Sequence, residues 1–263
     1  MPVGDVWLTP VPFKESRLWR VSSTAVIGLV SLFGKTVIGR CNKPNLHNES
    51  AFLKCVQHRP PGKPLLTVAN HYSCVDDFII SYVLPWKTVL HRCGMRWMPG
   101  AKDICNTNFA SSVFFQLGRV IPVVRGEGVY QQGMDFCAER LSVGEWVHIF
   151  PEGKINMEHK YLRLKWGVGR LVADSTVSPL VLPYWHVGMD DIWPNKAPYY
   201  PRTGKKMTVL FGEPLDFESE LSRLRQEKWS GEEIRKYITD RIQEELLNLR
   251  HKTERLHLEF TNK

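Results

Sequence analysis

The sequence predicts an α/β fold in which a mixed, largely parallel sheet is flanked by helices. Between residues 49 and 217, short apolar runs rich in β-branched residues alternate with longer stretches of helical periodicity. This alternation is typical of sheets whose strands are joined by crossover helices. Apolar residues make up 43% of the 263 residues, which is enough to bury a sizeable core. An apolar segment precedes this region, and an amphipathic helical pattern follows it.

The individual elements follow from local patterns. Helices are predicted over residues 49–57, 76–84, 102–118, 128–142 and 162–174. Strands are predicted over residues 65–69, 119–124, 146–150, 180–182 and 207–211, and a further strand is predicted to start at 87–90. Pro122 indicates a sheet edge or a bulge, because proline cannot donate a ladder hydrogen bond. Residues 42–50 are polar and are interpreted as a linker.

The C-terminal pattern predicts a long amphipathic helix. Ser230 and Glu233 form a capping-box pair at its start. Apolar residues then recur every three or four positions, at Ile234, Ile238, Ile242, Leu246 and Leu249. Residues 218–263 contain ten basic and ten acidic residues, so we expect this helix to dock on the protein rather than on an anionic surface.

Residues 21–39 are the best candidate for a membrane-associating segment. Their apolar part ends at Gly34, before Lys35, and it is shorter than the roughly 20 residues of a spanning helix unless Lys35 snorkels. Basic residues flank the segment at Lys14, Arg17, Arg20, Lys35 and Arg40. An apolar centre with basic flanks predicts a segment that dips into or lies on one leaflet. The alternative is an ordinary core helix.

Apolar and aromatic residues between positions 7 and 33 are expected to enter the membrane. The candidates within the segment and at its edge are Trp19, Val26, Ile27, Leu29, Val30, Leu32 and Phe33. No secretory signal or Arg-rich transit peptide is expected. We divide the chain into a membrane-associating segment and linker (1–48), an α/β domain (49–217) and a C-terminal helical segment that docks on it (218–263).

The formal charge of +8 indicates an anionic partner. Because the C-terminal 46 residues are neutral, the excess lies in residues 1–217. The sequence has no basic tail, aromatic RNA-binding box or zinc-finger spacing, so we expect an anionic membrane surface rather than nucleic acid. The cysteines, at positions 41, 55, 74, 93, 105 and 137, show no CxxC spacing. They are interpreted as free thiols, and we expect no metal site.

A polar cluster lies between two apolar runs, in the stretch HYSCVD. His71 and Asp76 follow the strand that ends near Asn70, and ligands bind at the carboxyl edge of open α/β sheets. With Ser73 as N-cap, Asp76 would lie in the first helical turn and reach back to the imidazole. The carboxylate would then orient His71 as a general base. The alternative is that Ser73 and Asp76 only cap the helix. Cys74 is interpreted as a packing residue.

Three further blocks lie at predicted strand ends. In FPEGK, Glu152 can bind a hydroxyl or a cation, and Gly153 allows close approach of a ligand; the alternative is a plain tight turn. In RVIPVVR, Arg125 is a candidate phosphate ligand; the alternative is a solvated surface charge. The fourth block is the apolar run LVLP at residues 180–183.

These four blocks, in this order, resemble the glycerolipid acyltransferase family. That family has an H-x4-D block, here His71 and Asp76; a block ending in arginine, here Arg125; an FPEG block; and an apolar-proline block. The resemblance spans residues 60–190, half of the chain. Val124 stands where the family has an aspartate, and Lys154 stands where it has serine or threonine.

The stretches NHYSCVDD, GRVIPVVRGEGVYQQGMDF, HIFPEGKINM and PYWHVGMDDIWPN are similar to the mitochondrial phospholipid–lysophospholipid transacylases of this family. The resemblance implies acyl transfer without coenzyme A or another cofactor. The implied substrates are phosphatidylcholine, cardiolipin and monolysocardiolipin, the last as acceptor. The implied location is mitochondrial membranes facing the intermembrane space, with peripheral or monotopic attachment.

The resemblance also implies roles for the site residues. His71 would deprotonate the acceptor hydroxyl, and Asp76 would stabilise the imidazolium. Arg125, Lys154 and backbone N–H groups near Asp76 would hold a phosphate or an oxyanion, and Glu152 and Gly153 would position the glycerol. Two alternatives stay open: a coenzyme A-dependent lysophospholipid acyltransferase, which shares these motifs, and a non-catalytic membrane-binding protein of the same fold.

Overall fold

A computed structural model describes residues 15–91 and 95–263. Lys14, Cys93 and the predicted insertion residues between 7 and 14 lie outside the described residues. The longer helices are α1 (Arg17–Lys35), α2 (Glu49–Gln57), α6 (Phe109–Leu117), α7 (Gln132–Ser142), α8 (Gly167–Ala173), α10 (Glu218–Gln226) and α11 (Gly231–Thr261). The short helices are α3 (Phe78–Val83), α4 (Trp86–Val89), α5 (Lys102–Cys105) and α9 (Met189–Ile192), and α1 continues as a π-helical turn over Thr36–Arg40.

The strands form a mixed sheet with an extension at one edge. They are β1 (Lys43–His47), β2 (Leu65–Ala69), β3 (Met98–Ala101), β4 (Val120–Val123), β5 (Trp146–Ile149), β6 (Leu180–Val187), β7 (Lys206–Phe211) and β8 (Leu215–Asp216). The spatial order of the main sheet is β1-β7-β6-β2-β5, with β8 paired to β6. Strands β5, β2 and β6 are mutually parallel, whereas β6 and β7 are antiparallel. The parallel pair β3–β4 continues this sheet through a parallel bridge between Trp97 and Val147.

The predicted α/β class with a mixed, largely parallel sheet is confirmed. Strand β2 occupies the centre, and all five of its residues are buried, as expected where helices cover both faces of a parallel sheet. One face packs against α7, α8, α10 and α11. The other face packs against α1, α2, α3 and α4.

Several predicted elements need correction. Residues 87–90 form no strand, because Pro85 starts the short helix α4 and its carbonyl accepts the N–H groups of Thr88 and Val89. The predicted linker 42–50 contains β1, which pairs with β7. The helical stretch 102–118 is divided into α5 and α6. Strand β6 continues past Pro183 to Val187, and β3 was not predicted.

Helices α7 and α8 are shorter than their patterns indicated. Helix α7 begins at Gln132 rather than at Gly128, and α8 begins at Gly167 rather than at Leu162. The C-terminal pattern was accurate: Ser230 and Glu233 form the capping box, and the predicted apolar positions of α11 are buried. Helix α11 belongs to the same core as β6, for example through Ile238 and Val181.

Helix α1 turns its apolar side outwards. Its buried positions are Ser23, Ile27, Ser31 and Gly34, so the inward face is mostly small or polar. Leu29 and Leu32 are 69% and 54% exposed. Of the described residues, one helical stretch, Arg17–Arg40, is long and apolar enough to cross a membrane by length and composition, with a mean hydropathy of 1.6.

Lys35 does not interrupt this outer surface. Its Nζ donates to the carbonyl oxygens of Tyr82 at 2.8 Å and Leu84 at 2.6 Å. These oxygens lie at the C-terminal end of α3, where helix carbonyls lack intrahelical partners. Burial lowers the pKa of Lys35, although Glu49 opposes the shift. The ammonium group is therefore bound by carbonyl oxygens of the protein itself.

The predicted membrane residues fall into two groups. Leu29, Leu32 and Phe33 are exposed, and Phe33 also makes edge contacts with Phe78 and Trp193. Val26 and Val30 are half-buried. Ile27 lies in the core and Trp19 stacks on Trp97 with ring centroids 5.7 Å apart, so lipid contact by these two side chains is not supported.

Candidate active site

Two adjacent parallel strands, β2 and β5, bring their following loops together at one edge of the sheet. Their register pairs Val68 with Ile149. His71 lies two residues beyond the end of β2, and Glu152 lies three residues beyond the end of β5. The His71 N–H donates to Glu152 Oε1 at 3.2 Å. The H-x4-D and FPEG blocks therefore meet at the carboxyl edge, where ligand sites of open α/β sheets lie.

His71 and Asp76 are hydrogen-bonded. His71 Nδ1 lies 3.0 Å from Asp76 Oδ2, and the side chains are 19% and 0% exposed. The same oxygen accepts the N–H groups of Tyr72 at 2.7 Å and Ser73 at 2.8 Å. Burial alone would raise the pKa of Asp76, but the imidazoles of His186 and His71 hold it well below its usual value. Asp76 is therefore a buried carboxylate with its charge directed at His71.

The hydrogen bond fixes the tautomer of His71. Because an ionised carboxylate can only accept, Nδ1 carries the proton. Nε2 is then the basic nitrogen, and it has no hydrogen-bond partner among residues 15–91 and 95–263. A neutral imidazole with an accepting Nε2 and a carboxylate behind it is the arrangement required of a general base.

The predicted helical position of Asp76 needs correction. Helix α3 begins at Phe78, with Asp77 before it, so Asp76 lies in the preceding turn and Ser73 is not the N-cap. Ser73 Oγ instead donates to the carbonyl of Trp193 at 2.9 Å. The bond from Ser73 N–H to Asp76 that the capping alternative requires is nevertheless present, together with the imidazole bond. The Asp76 carboxylate therefore binds the loop backbone and the imidazole together, without capping a helix.

Several backbone N–H groups of this turn are already engaged. The Asp76 N–H donates to the Ser73 carbonyl, the Phe78 N–H to the Val75 carbonyl, and the Cys74 N–H to Asn195 Oδ1. These three groups are not free to bind an oxyanion, so the predicted oxyanion site at this turn stays a prediction for its remaining N–H groups. Asn195 also donates to the Tyr72 carbonyl at 2.6 Å, so it holds the loop from outside.

Phe150 and Glu152 of the FPEG block contact the histidine differently. The Phe150 ring stacks on the His71 ring, with centroids 4.2 Å apart. Glu152 is buried, and burial raises its pKa, while the His71 N–H and Asn156 oppose the shift. Its Oε2 is buried without a partner in the described chain, and Glu152 is one of the residues that line a cavity of about 20 Å³. Glu152 thus supports the His71 backbone directly.

The other predicted substrate residues are at the surface. Gly153 has φ +72°, a left-handed conformation that favours glycine, and its N–H closes a turn to the Phe150 carbonyl at 3.1 Å. Lys154 is exposed. Arg125 follows β4 at the same sheet edge, is exposed, and contacts Asp103 at 3.1 Å. His71, Asp76 and Glu152 are brought together; Arg125 and Lys154 lie at the surface.

His186 and Asn70 were not predicted as site residues. Both are buried, and His186 Nε2 lies 3.4 Å from Asp76 Oδ2. The register of the sheet is what brings His186 to the site. Strands β2 and β6 are parallel and Ala69 pairs with Tyr184, so His71 and His186, each two residues further along its chain segment, lie side by side. That relationship requires the strand pairing, which one sequence does not reveal. Within the described residues, no group of three or more His, Cys, Asp or Glu side chains is placed to hold a metal.

Comparison with known proteins agrees with this geometry. Residues 46–187 match the Acyltransferase family. The chain is 44% identical over 259 residues to Tafazzin of Drosophila melanogaster, covering 98% of this chain and 68% of that protein. It is 38% identical over 211 residues to N-acylphosphatidylethanolamine synthase of Arabidopsis thaliana, covering 78% of this chain and 74% of the other.

The fold is also found in a solved structure. The 1-acyl-sn-glycerophosphate (LPA) acyltransferase PlsC from Thermotoga maritima superposes with a TM-score of 0.58 at 17% sequence identity, covering 89% of this chain and 84% of PlsC. The family match includes the loops that carry His71, Asp76 and Glu152, and the similarity to Tafazzin extends over nearly the whole chain. The chain therefore belongs to the acyltransferase family, within its tafazzin branch, and is an O-acyltransferase.

Proposed function

We propose that this protein transfers an acyl group directly from a phospholipid to a lysophospholipid, without coenzyme A, and that it remodels cardiolipin with monolysocardiolipin as acceptor. The observation that carries the proposal is the hydrogen bond between His71 Nδ1 and Asp76 Oδ2 at 3.0 Å. It leaves Nε2 as a base beside a partly exposed loop. The lipid substrates rest on the similarity to proteins named Tafazzin.

His71 starts the reaction as a general base. The proton of the acceptor hydroxyl moves to Nε2, and the oxygen forms a bond to the carbonyl carbon of the donor ester. When the tetrahedral adduct collapses, the bond between that carbon and the donor glycerol oxygen breaks. The imidazolium returns its proton to the leaving oxygen, giving an acylated acceptor and a new lysophospholipid. Asp76 stabilises the imidazolium between the two proton transfers.

No activated thioester is needed for this exchange. One carboxylic ester replaces another, so the bonds formed and broken are of the same kind and the reaction is close to thermoneutral. The protein need only lower the barrier. Glu152 is proposed to position the acceptor glycerol close to Gly153, and Arg125 and Lys154 are proposed to bind lipid phosphate from the rim.

The outer face of α1 is proposed to attach the protein to one leaflet of a mitochondrial membrane, facing the intermembrane space. Leu29 and Leu32 line a groove of about 900 Å³ together with Trp86 and Leu90 of the α4 region. Arg17 and Arg20 border the same groove. Apolar side chains beside basic ones suit an anionic lipid surface, and cardiolipin carries two phosphates.

The test is a transfer assay with purified protein, labelled phosphatidylcholine as donor and monolysocardiolipin as acceptor, in vesicles free of any thioester. We expect label in cardiolipin with the unaltered protein and no transfer above background with His71→Ala. Thermal unfolding of both proteins controls for misfolding. Transfer that requires acyl-coenzyme A would favour the coenzyme A-dependent alternative. Undiminished transfer by a folded His71→Ala variant would exclude the proposed base.

A further inference from the structure

We infer that His186 is a positioning residue for the His71–Asp76 pair: it lies against the carboxylate oxygen that His71 uses and so sets both the orientation of Asp76 and how strongly Asp76 stabilises the His71 imidazolium. The inference rests on the proposed role of His71. His186 lies on β6, the neighbour of β2, and its side chain is fully buried. It would not touch the substrate.

His186 is fastened to the end of β2 by three contacts with one residue. The His186 N–H donates to Asn70 Oδ1 at 2.9 Å, Asn70 Nδ2 donates to the His186 carbonyl at 3.0 Å, and His186 Nε2 lies 3.1 Å from the Asn70 carbonyl. Asn70 precedes His71 directly. These contacts thus join the end of β2, which leads into His71, to the His186 position of β6.

The Asn70 contact determines which nitrogen of His186 carries hydrogen. A carbonyl oxygen can only accept, so Nε2 must donate. The same nitrogen lies 3.4 Å from Asp76 Oδ2, so the positive end of this N–H dipole lies beside the carboxylate oxygen as well as the carbonyl. Asp76 Oδ1 has no partner among the described residues, and all donors to this side chain therefore converge on Oδ2.

This contact affects the base. The polarised N–H beside Oδ2 draws on the negative charge that stabilises the His71 imidazolium, so it weakens the stabilisation of that cation by Asp76. It also blocks rotation of the carboxylate away from His71. Burial opposes protonation of His186, but Asp76 raises its pKa above the usual value. Among the described residues, the charged or titratable groups that face His186 include Asp76, Asp190, Glu152, His71 and Tyr72.

The experiment compares His186→Leu, which removes the donor, with His186→Gln, whose amide nitrogen can occupy the position of Nε2. The pH profile of kcat/KM is measured in the thioester-free assay. His71→Ala is run in parallel. His257→Leu is the matched control, because His257 of α11 contacts Thr208 Oγ1 of β7 at 3.0 Å rather than Asp76 or His71.

For His186→Leu we expect kcat to fall between about 10- and 100-fold, the range seen when an outer hydrogen-bond partner of a metal-binding side chain is lost, with KM changed less than about twofold. The acid limb of the profile should move to higher pH, because a carboxylate without this N–H beside it stabilises the His71 imidazolium more strongly, and the imidazole must be neutral to act. His186→Gln should recover most of the rate and the original limb. His257→Leu should move neither kcat nor the limb.

An unchanged profile and rate in His186→Leu would overturn the inference, and so would a loss of rate with an unmoved acid limb, since that reports only a structural role. If His186→Leu does not fold, His186→Gln is compared with His186→Asn, whose shorter amide cannot reach Asp76. Equal profiles for these two would also overturn it. A fully active His71→Ala variant would instead contradict the proposed function, so the two failures are distinguishable.

Discussion

The rings of His71 and Phe150 are stacked, with centroids 4.2 Å apart and planes within 9° of each other. Phe150 also makes an edge contact with the buried ring of His148 at 4.5 Å. Burial lowers the pKa of His148 to about 3, so the His148 ring that contacts Phe150 is uncharged at neutral pH. Two loops from neighbouring strands thus hold the imidazole, one through the Asp76 carboxylate and the other through an aromatic face.

Replacing Phe150 by Leu should lower kcat by about 2- to 10-fold, because an aromatic pair contributes roughly 0.5–1.5 kcal/mol beyond area burial. Phe150→Tyr keeps the ring and is the matched control. Both variants are compared by kcat in the transfer assay and by thermal unfolding. A rate loss in Phe150→Tyr equal to that in Phe150→Leu would contradict a role for the stack.

Asp76→Asn should lower kcat by a factor on the order of 10³–10⁴, as expected when the carboxylate behind a catalytic imidazole is neutralised and the tautomer is no longer fixed. The amide oxygen of asparagine can still accept the Tyr72 and Ser73 N–H groups, so the loop should remain folded. Rate is measured in the transfer assay and folding by near-UV circular dichroism. A folded Asp76→Asn variant with normal kcat would contradict the assignment.

The same substitution should change the pH dependence of stability. The pKa of Asp76 is lower in the folded state than in the unfolded chain, so the carboxylate stabilises the fold above the unfolded pKa of about 3.9. This contribution is lost as pH falls from there through the folded pKa. The difference in free energy of unfolding between the unaltered protein and Asp76→Asn should therefore be largest near neutral pH and shrink on acidification.

Glu152→Gln should have the opposite effect on stability. Burial raises the pKa of Glu152 in the folded state, so ionisation at neutral pH costs stability. This cost is removed as pH falls through the folded pKa towards the unfolded value of about 4.3. The amide oxygen can still accept the His71 N–H. We expect the variant to melt higher than the unaltered protein at pH 7, to match it near pH 4, and to transfer acyl groups more slowly.

The central strands could be predicted because burial on both faces leaves a clear pattern. Leu65–Ala69 and Trp146–Ile149 are short apolar runs bounded by polar or turn residues, and the structure places them side by side. Strand β3, Met98–Ala101, could not be predicted in this way. It contains Pro99 and Gly100 and is only half-buried, so neither strand propensity nor alternation marks it.

Part of the site could be predicted for a related reason. His71 and Asp76 are five positions apart, so a local pattern is enough to pair them. Glu152 follows β5, which lies beside β2, and the assumption that parallel strands end at one sheet edge is enough to place it near His71. The contacts of His186 with Asn70 and of Lys35 with Tyr82 join residues 116 and 47 positions apart. Such contacts depend on strand order and helix packing, which the chain does not display locally.

Arg125→Ala should raise KM for an anionic lipid donor while leaving kcat and stability nearly unchanged, if Arg125 binds lipid phosphate. Its pairing with Asp103 is exposed on both sides, at 49% and 63%, and such pairs contribute about 1 kcal/mol or less. Asp103→Ala is the matched control: it frees Arg125 without removing it and should not raise KM. Equal KM changes in the two variants would mean that Arg125 acts only through its ion pair with Asp103 and does not bind lipid phosphate.

The outward face of α1 should carry membrane attachment independently of folding. The double variant Leu29→Ser, Leu32→Ser should reduce binding to cardiolipin-containing vesicles at least tenfold in a flotation assay, because each leucine stabilises the bound state by roughly 1.5–3 kcal/mol when fully buried. Its melting temperature should stay unchanged, since both side chains are exposed. Serine adds no charge, so electrostatic repulsion from the lipid is not the cause of any loss.

Ile27→Ala, on the same helix, should have the opposite effect: it should lower stability and leave membrane binding intact. Ile27 is 6% exposed and packs in the core, so this variant should lose about 2–5 kcal/mol of unfolding free energy and, below its melting temperature, still float with the vesicles. If instead the double serine variant binds vesicles normally while Ile27→Ala does not, attachment through the outer face of α1 is wrong.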